Sequence, residues 1–262
     1  MIENQKITVV MPAYNAEKTL VKTVQDLPKD FVDDIILVDD FSHDRTAEIA
    51  RELGIFCVSH DRNKGYGANQ KTLYRLALER GADIVIMLHP DYQYNPRLVP
   101  AVAWMLTAGC YDVVLASRML VNSARRGGMP LYKYVANRFL TGFQNLLLNQ
   151  HLSEYHTGFR GYRRCVLEQF DFSRNSDDFV FDNQFLSQAI YHGFRIGEIS
   201  CPAKYGAEFS SINFRRSLVY GLGVMATSLS YLYARILSDR HTLFRSQAEL
   251  PSSRSQSDII RR

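Results

Sequence analysis

Along the first 120 residues, short runs of apolar and largely β-branched residues at 7–11, 35–38, 55–58, 84–88 and 113–116 alternate with longer stretches of mixed polarity at 17–27, 45–53, 66–80 and 97–108. Unbroken apolar runs suit strands buried on both faces of a parallel sheet, and the stretches between them are long enough for crossover helices. Pro28, Gly54, Gly81 and Gly109 stand where several of those helices must stop. The rhythm predicts an α/β fold, Rossmann-like, with a doubly wound and mostly parallel sheet between flanking helices. Beyond residue 120 the pattern changes. A hairpin or short strand is expected over 154–163, a helix over 181–192 and a strand over 195–201. Over 217–238, Leu218, Leu222, Met225, Leu229, Leu232 and Ile236 recur at spacings of four and three, a single helical stripe. Residues 217–234 carry no charge, but Ser, Thr, Tyr and Gly dilute them, and the run falls short of the roughly 20 apolar residues a bilayer span needs. A helix packed in the core or at a dimer interface is expected there first, and one lying in a membrane surface second. The polar residues 246–262 are expected to be a disordered tail.

Composition narrows the class only a little. Apolar residues make up 46% and charged residues 22%, which excludes a disordered or low-complexity chain. The 31 basic and 27 acidic residues leave a net charge of +4, too weak to mark a nucleic-acid binder, so no nucleic-acid partner is expected. Four separated cysteines with no CxxC pair argue against a zinc site or a disulfide framework. The first ten residues, MIENQKITVV, contain no apolar leader core, so a cytoplasmic chain is expected. Charge becomes informative locally: between 113 and 153 there is no Asp or Glu, while Arg118, Arg125, Arg126, Lys133 and Arg138 all fall inside. Five cations without compensation form either a solvated basic face or the seat of an anion such as a phosphate.

In a doubly wound sheet ligands sit beyond the carboxyl ends of the strands, and polar clusters follow the predicted strands here. Asp39 and Asp40 end the second run. Two adjacent carboxylates need hydrogen-bond donors nearby, which a nucleoside supplies, although Ser42 or Asp44 could serve merely to cap the next helix. His89-Pro90-Asp91 ends the fourth run; Asp91 is a candidate ligand for Mn²⁺ or Mg²⁺, with His89 as a second. Lys64-Gly65-Tyr66-Gly67-Ala68-Asn69 leads into a helix, which suits an anion at the helix start and equally a simple loop-to-helix junction.

Taken in order, these clusters resemble the family 2 glycosyltransferases of GT-A fold, and among them the dolichyl-phosphate-mannose synthase-like branch. The matching residues are Val-Val-Met-Pro-Ala-Tyr-Asn (9–15), Val-Asp-Asp-Phe-Ser (38–42), Asn-Lys-Gly-Tyr-Gly-Ala-Asn (63–69), His-Pro-Asp-Tyr-Gln (89–93) in place of the DxD motif, Ala-Ser-Arg (116–118), Gly128-Met129-Pro130, Asn137-Arg138 and Thr-Gly-Phe-Arg-Gly-Tyr (157–162). The likeness covers residues 5–215. It implies a nucleotide-diphosphate sugar held by Pro12, Tyr14, Asn15, Asp39 and Asp40 with Lys64 nearby, and a divalent metal and diphosphate at Asp91 and Gln93. It implies inversion at the anomeric carbon and, as the usual acceptor, a polyprenyl or dolichyl phosphate met by Arg118 and by Arg126 or Lys133, with Arg138 in the same acid-free stretch. A lipid acceptor would place the chain at the inner face of a membrane as a peripheral protein, with a homodimer as a further possibility. Asp182, near where many members carry an acidic pair, would be the base for a hydroxyl acceptor; a helix cap explains it as well. The chain departs from the pattern at His89, which stands for the first DxD carboxylate, at Glu154, which stands for Asp, and at Tyr205–Asn213, which lacks a late basic loop. Nor does it carry the pair of C-terminal spans found in many relatives. These departures motivate a rival reading, a catalytically silent nucleotide-sugar-binding protein that acts on a partner. The expected organisation is a GT-A domain over 1–212, divided into a nucleotide-binding half (1–120) and an acceptor half (121–212), then an amphipathic helix region (213–245) and the tail (246–262).

Overall fold

The computed structural model describes residues 2–121, 123–205, 214–237 and 242–245, so the expected tail lies outside the described residues. One seven-stranded sheet runs through the molecule: β1 (Ile7–Ala13), β2 (Asp34–Asp39), β3 (Phe56–Ser59), β4 (Ile84–Met87), β5 (Val113–Ser117), β6 (Arg160–Arg163) and β7 (Ile196–Ser200), in the order β3-β2-β1-β4-β6-β5-β7. All pairings are parallel except those of β6, which runs antiparallel between β4 and β5. The expected doubly wound sheet is present. The segment read as a hairpin or strand over 154–163 instead contributes one strand inserted into the sheet centre, so the two halves of the chain share a single sheet. That insertion brings the start of β6 to the same edge as the carboxyl ends of β1, β2, β4 and β5.

The helices are α1 (Glu17–Gln25), α2 (Thr46–Glu52), α3 (Tyr66–Glu79), α4 (Val99–Thr107), α5 (Ser123–Arg126), α6 (Leu131–Leu148), α7 (Arg164–Gln169), α8 (Phe181–Tyr191) and α9 (Phe214–Leu237). Alternation along the buried strands divides the core into two layers. Val9, Met11, Leu37, Ile86 and Val114 pack under α1, α2 and α4, while Val10, Ile36, Val85, Val113 and Tyr162 pack under α3, α7 and α8. The run at β3 is partly exposed because β3 is an edge strand.

Two helices do not follow the hydrophobic pattern. α6 was not expected at all, because its buried positions are Asn137, Thr141, Gln144 and Leu148, and a mostly polar inner face gives no apolar stripe at core-facing spacing. α9 was expected to bury its stripe, yet Leu218, Leu222, Leu229 and Ile236 are exposed, and Val224, Thr227, Ser228, Tyr231 and Ala234 face the protein. The core placement of that stripe is therefore corrected. Smaller residues let α9 approach α6 and α8 closely, and the large aliphatic side chains are left outside.

Asp112 ties the starts of β5 and β7 to the end of β6. It accepts from Arg195 Nε at 2.9 Å and Nη2 at 2.9 Å, from Arg195 N–H at 3.0 Å and from Arg163 Nη1 at 3.3 Å. The Arg195 hydrogen bonds lower its carboxyl from the ordinary 3.8 to about 2. A depressed carboxyl stabilises the fold above its unfolded-state pKa and loses that contribution as the pH falls through its folded value. Asp112→Asn is accordingly expected to lower stability by about 1–2 kcal/mol at neutral pH after allowance for the exposed Arg195 side chain, and by almost nothing near pH 2. Urea melts of both proteins from pH 7 to pH 2 check this; a gap that does not close below pH 4 overturns it.

Candidate active site

The loops after β1 and β2 are stitched to each other. Ser42 Oγ accepts from the Asn15 N–H at 2.8 Å and donates to Asp39, and Asn15 Oδ1 accepts from the His43 N–H at 2.9 Å. Asn15 takes a positive φ of 51°, which this residue type tolerates. Asp44 accepts from the N–H groups of Thr46 at 3.0 Å and Glu17 at 3.1 Å, so it serves both following helix starts. Tyr14 stands half exposed beside this loop pair, and Pro12 lies buried within β1.

Asp39 and Asp40 are both buried at the end of β2, and the chain itself supplies their donors. Asp40 is held by His60 Nδ1 at 2.7 Å, by the Lys64 N–H at 2.9 Å and by the Gly65 N–H at 3.0 Å. Asp40 thereby fixes the 64–65 turn, with three of the roughly four acceptor positions of its carboxylate filled by the chain. Lys64 itself points to solvent in an exposed ion pair with Asp61 at 2.9 Å. Nor is the helix start beyond it open to an anion: the N–H groups of Gly67 and Ala68 donate to the Asp177 carbonyl at 2.7 and 3.2 Å. Gly67 is required there because a Cβ would lie 2.3 Å from the Ser176 carbonyl oxygen.

This close approach carries the 176–182 segment, and with it the start of α8, onto α3. The result is a connected polar chain at the strand ends. Tyr66 Oη donates to Asp182 Oδ2 at 2.9 Å and lies 2.9 Å from His89 Nε2, at the end of β4. A phenol has one proton, so with that proton on Asp182 its oxygen accepts from His89 Nε2–H, and Nδ1 keeps the lone pair. Burial lowers the His89 imidazole from its ordinary pKa, only partly opposed by the charges of Asp91 and Asp182, which favours this neutral form. Behind Asp182, the fully buried Arg160 donates to the Asp182 carbonyl at 2.9 Å and lies 3.7 Å from Oδ2. Asp182 Oδ1 is buried with no hydrogen-bond partner among the described residues. A buried carboxyl oxygen left without a donor is costly in a folded chain and is satisfied by a water, an ion or a ligand group.

Asp91 adjoins this chain, its Oδ1 accepting from the Gln93 N–H at 3.0 Å; Gln93 is buried, and its carbonyl accepts from the Lys204 N–H at 3.1 Å. Among the described residues no cluster of three or more His, Cys, Asp or Glu side chains closes into a cage. Asp91 and His89 by themselves offer one carboxyl group and one imidazole nitrogen, which suits an ion that takes one or two protein donors and completes its shell with phosphate oxygens, as Mg²⁺ does. An imidazole among them suits Mn²⁺ better. Gly158 gives His89 its room, since a Cβ there would lie 2.6 Å from Nε2. Gly158→Ala is expected to push the ring off Tyr66 and to lower turnover about 10²-fold, as ångström-scale misplacement does in other sites. Activity and circular dichroism measured together check it; full turnover would remove His89 from the site.

One cation of the acid-free stretch, Arg118, is compensated by the residue just past its end. Glu154, fully buried, accepts from Arg118 N–H at 2.8 Å, from Arg118 Nε at 3.0 Å, from Arg118 Nη2 and from Asn137 Nδ2 at 2.8 Å. Burial alone would raise the Glu154 carboxyl, but the charge and hydrogen bonds of Arg118 hold it below the ordinary range. The expectation of five uncompensated cations is therefore corrected for Arg118. Lys133 stands one helical turn before Asn137 on α6, and burial, then the charge of Arg118, lowers its ammonium. Arg126 and Arg138 are exposed. With helix geometry known, Arg138 is five residues and so about 140° round α6 from Lys133, and the two do not share a face. His156 follows Glu154 and Tyr155; its Nδ1 lies 2.8 Å from Tyr220 Oη, its Nε2 is buried without a partner among the described residues, and burial takes the imidazole down to about 4.

The structure thus brings together His89, Asp91 and Asp182 in one neighbourhood and Arg118 with Lys133 in another. Tyr66, Arg160 and His156 were not singled out from the sequence. Tyr66 and Arg160 lie inside the matched runs 63–69 and 157–162, which is the only signal that pointed to them.

The Glycosyl transferase family 2 model matches residues 8–170. The UDP-N-acetylglucosamine–dolichyl-phosphate N-acetylglucosaminyltransferase of Methanococcus voltae is 27% identical over 216 residues, covering 76% of this chain and 86% of the relative. The polyprenol monophosphomannose synthase of Mycolicibacterium smegmatis is 27% identical over 203 residues, covering 74% and 76%. Among solved structures, glucosyl-3-phosphoglycerate synthase from Mycobacterium tuberculosis in complex with UDP superimposes with a TM-score of 0.68 at 19% identity, over 88% of this chain and 81% of that one. The same enzyme has been solved with Mn²⁺, UDP and glucosyl-3-phosphoglycerate, with a TM-score of 0.64 at 18% identity over the same shares of the two chains.

Proposed function

Because the chain belongs to glycosyl transferase family 2, we propose that it moves a hexose, with inversion, from a nucleoside-diphosphate sugar to a polyprenyl or dolichyl phosphate at a membrane surface. The observation that carries this reading is that His89 and Asp91, after β4, and the buried Arg118, after β5, lie at one edge of the sheet on either side of β6. The two similar enzymes named for lipid-phosphate acceptors support the acceptor class. The domain would extend over 1–212, with the 213–245 helix region appended to it.

The residues divide the work as follows. Tyr14, Asn15 and Asp39 line the loops where the nucleoside would lie, and Asp40 acts indirectly by holding the 64–65 turn in place. Asp91 and His89 would hold Mn²⁺ or Mg²⁺, with Gln93 at the diphosphate. A divalent ion there supplies Lewis acidity toward the departing diphosphate. A phosphate monoester has a second pKa of ~6 and arrives at neutral pH already ionised, so it needs positioning rather than a base. Lys133 and Arg118 would set its place, the latter with its guanidinium pinned by Glu154.

The bare oxygen of Asp182 also favours a second reading, a hydroxyl acceptor with Asp182 as general base. Release of UDP or GDP from UDP-N-acetylglucosamine, UDP-glucose and GDP-mannose, measured with Mn²⁺ and dolichyl phosphate, separates the two. With a lipid phosphate, Asp182→Asn is expected to retain turnover within about tenfold; a loss of about 10²–10⁴ in kcat would identify a base and overturn the phosphate reading. Tight nucleotide binding with no transfer to any acceptor would favour a silent binding protein.

A further inference from the structure

We propose that the outward faces of α6 and α9 together form a docking surface for an anionic lipid bilayer. Both helices are amphipathic in the wrong sense for a globular protein. α6 turns Asn137, Thr141 and Gln144 inward and Leu131, Val135, Phe139 and Leu146 outward, the last 79% exposed. α9 turns Thr227 and Ser228 inward and Leu218, Leu222, Leu229, Tyr233 and Ile236 outward, the last 67% exposed. The two helices are adjacent, since a side-chain carbon at Gly221 would lie 3.7 Å from Leu140 Cδ1. Leu120 and Val121, just before α5, extend the exposed apolar set. Most large apolar side chains left exposed among the described residues fall in these segments, and contiguous apolar surface on that scale marks an interaction site.

The charges choose the occupant. No acidic residue occurs from 113 to 153 or from 209 to 238, whereas Arg125, Arg126, Arg138 and Arg215 are exposed there. A second copy docking by the same face would set these cations against each other with no carboxylate between them, because a two-fold contact repeats one patch on both sides. An anionic headgroup layer supplies the missing countercharge, and the acyl boundary takes up the aliphatic side chains. Among the described residues no helix is long and apolar enough to cross a membrane, so contact is made in the plane of the surface. The inner face of α6 bears Lys133 and Asn137 next to Arg118 and Glu154, which places the proposed acceptor cations directly beneath this surface. That link to a lipid-bound acceptor rests on the function proposed above; the docking itself does not.

The full chain is to be sedimented with vesicles of phosphatidylcholine alone and with vesicles containing about one-third phosphatidylglycerol. Binding to the anionic vesicles, weakened by added salt, is the expected result. The double variant Phe139→Glu with Leu222→Glu is expected to lower partitioning at least about tenfold, with nucleotide binding and melting temperature retained, while Phe139→Leu with Leu222→Met keeps it. Equal indifference of the native chain to both vesicle types overturns the proposal, as does undiminished binding by the double Glu variant. A concentration-dependent dimer that the Glu pair abolishes would assign the face to a second copy and overturn it likewise. Turnover on a short water-soluble polyprenyl phosphate distinguishes the two ideas: native vesicle binding without such turnover would sink the acceptor reading and leave the docking intact.

Discussion

Asp91→Ala is expected to lower nucleoside-diphosphate release about 10²–10³-fold, the loss that follows removal of one group stabilising developing charge. The structural consequence should be small by comparison. Asp91 is partly exposed, and its one internal hydrogen bond, to the Gln93 N–H, is a local turn contact of about 1 kcal/mol. Nucleotide affinity measured with a chelator should match that of the native chain, and the tightening produced by Mn²⁺ should be lost. His89 makes this variant more telling than in a site with two acids, since Asp91 is the one carboxyl of the 89–93 run. A variant that still turns over at the native rate in Mn²⁺ would remove Asp91 from the diphosphate site, and with it the division of labour proposed above.

The largest loss of stability is expected at Glu154. Glu154→Gln leaves the buried Arg118 guanidinium without a matching charge and turns an amide N–H₂ toward it. Breaking a buried pair from one side costs about 3–5 kcal/mol, which in a chain of this length amounts to a fall of about 10 °C in melting temperature. Replacing both partners, Arg118→Met with Glu154→Leu, should recover most of that stability because no charge is then buried. It should not recover transfer to a lipid phosphate, since Lys133 would lack its neighbour. Thermal melts and turnover of the single and double variants separate the two roles of Arg118. A Glu154→Gln protein as stable as the native one would show that Arg118 is compensated elsewhere; a double variant with native turnover would show that Arg118 does not position the acceptor.

Much of the candidate site was legible because strand-end chemistry is local. The polar groups after β1, β2, β4 and β5 follow directly from apolar runs that any sheet of this kind must bury, so His89, Asp91 and Arg118 could be placed before the fold was known. The meaning of Asp39 and Asp40 was not legible. Whether a carboxylate pair awaits a ligand or is satisfied internally depends on donors such as His60 and Gly65, 20 and 25 residues away from Asp40, whose approach only the closed sheet produces. For the same reason Arg118 looked uncompensated within the stretch 113–153: Glu154 and Arg118 are 36 residues apart and meet because β6 is inserted beside β5.

What the amino-acid order decided alone was the parallel α/β sheet, the edge of that sheet where chemistry would gather, and the run of motifs that marks the family. These rest on burial of continuous apolar runs and on short-range spacing, which neighbouring residues determine among themselves. Only tertiary structure decided which polar groups are already satisfied, that Tyr66 joins His89 to Asp182, and that α6 and α9 present their large aliphatic side chains outward. Those outcomes depend on what packs against each face, and a helix whose inner face is polar carries no record of that partner in its own periodicity.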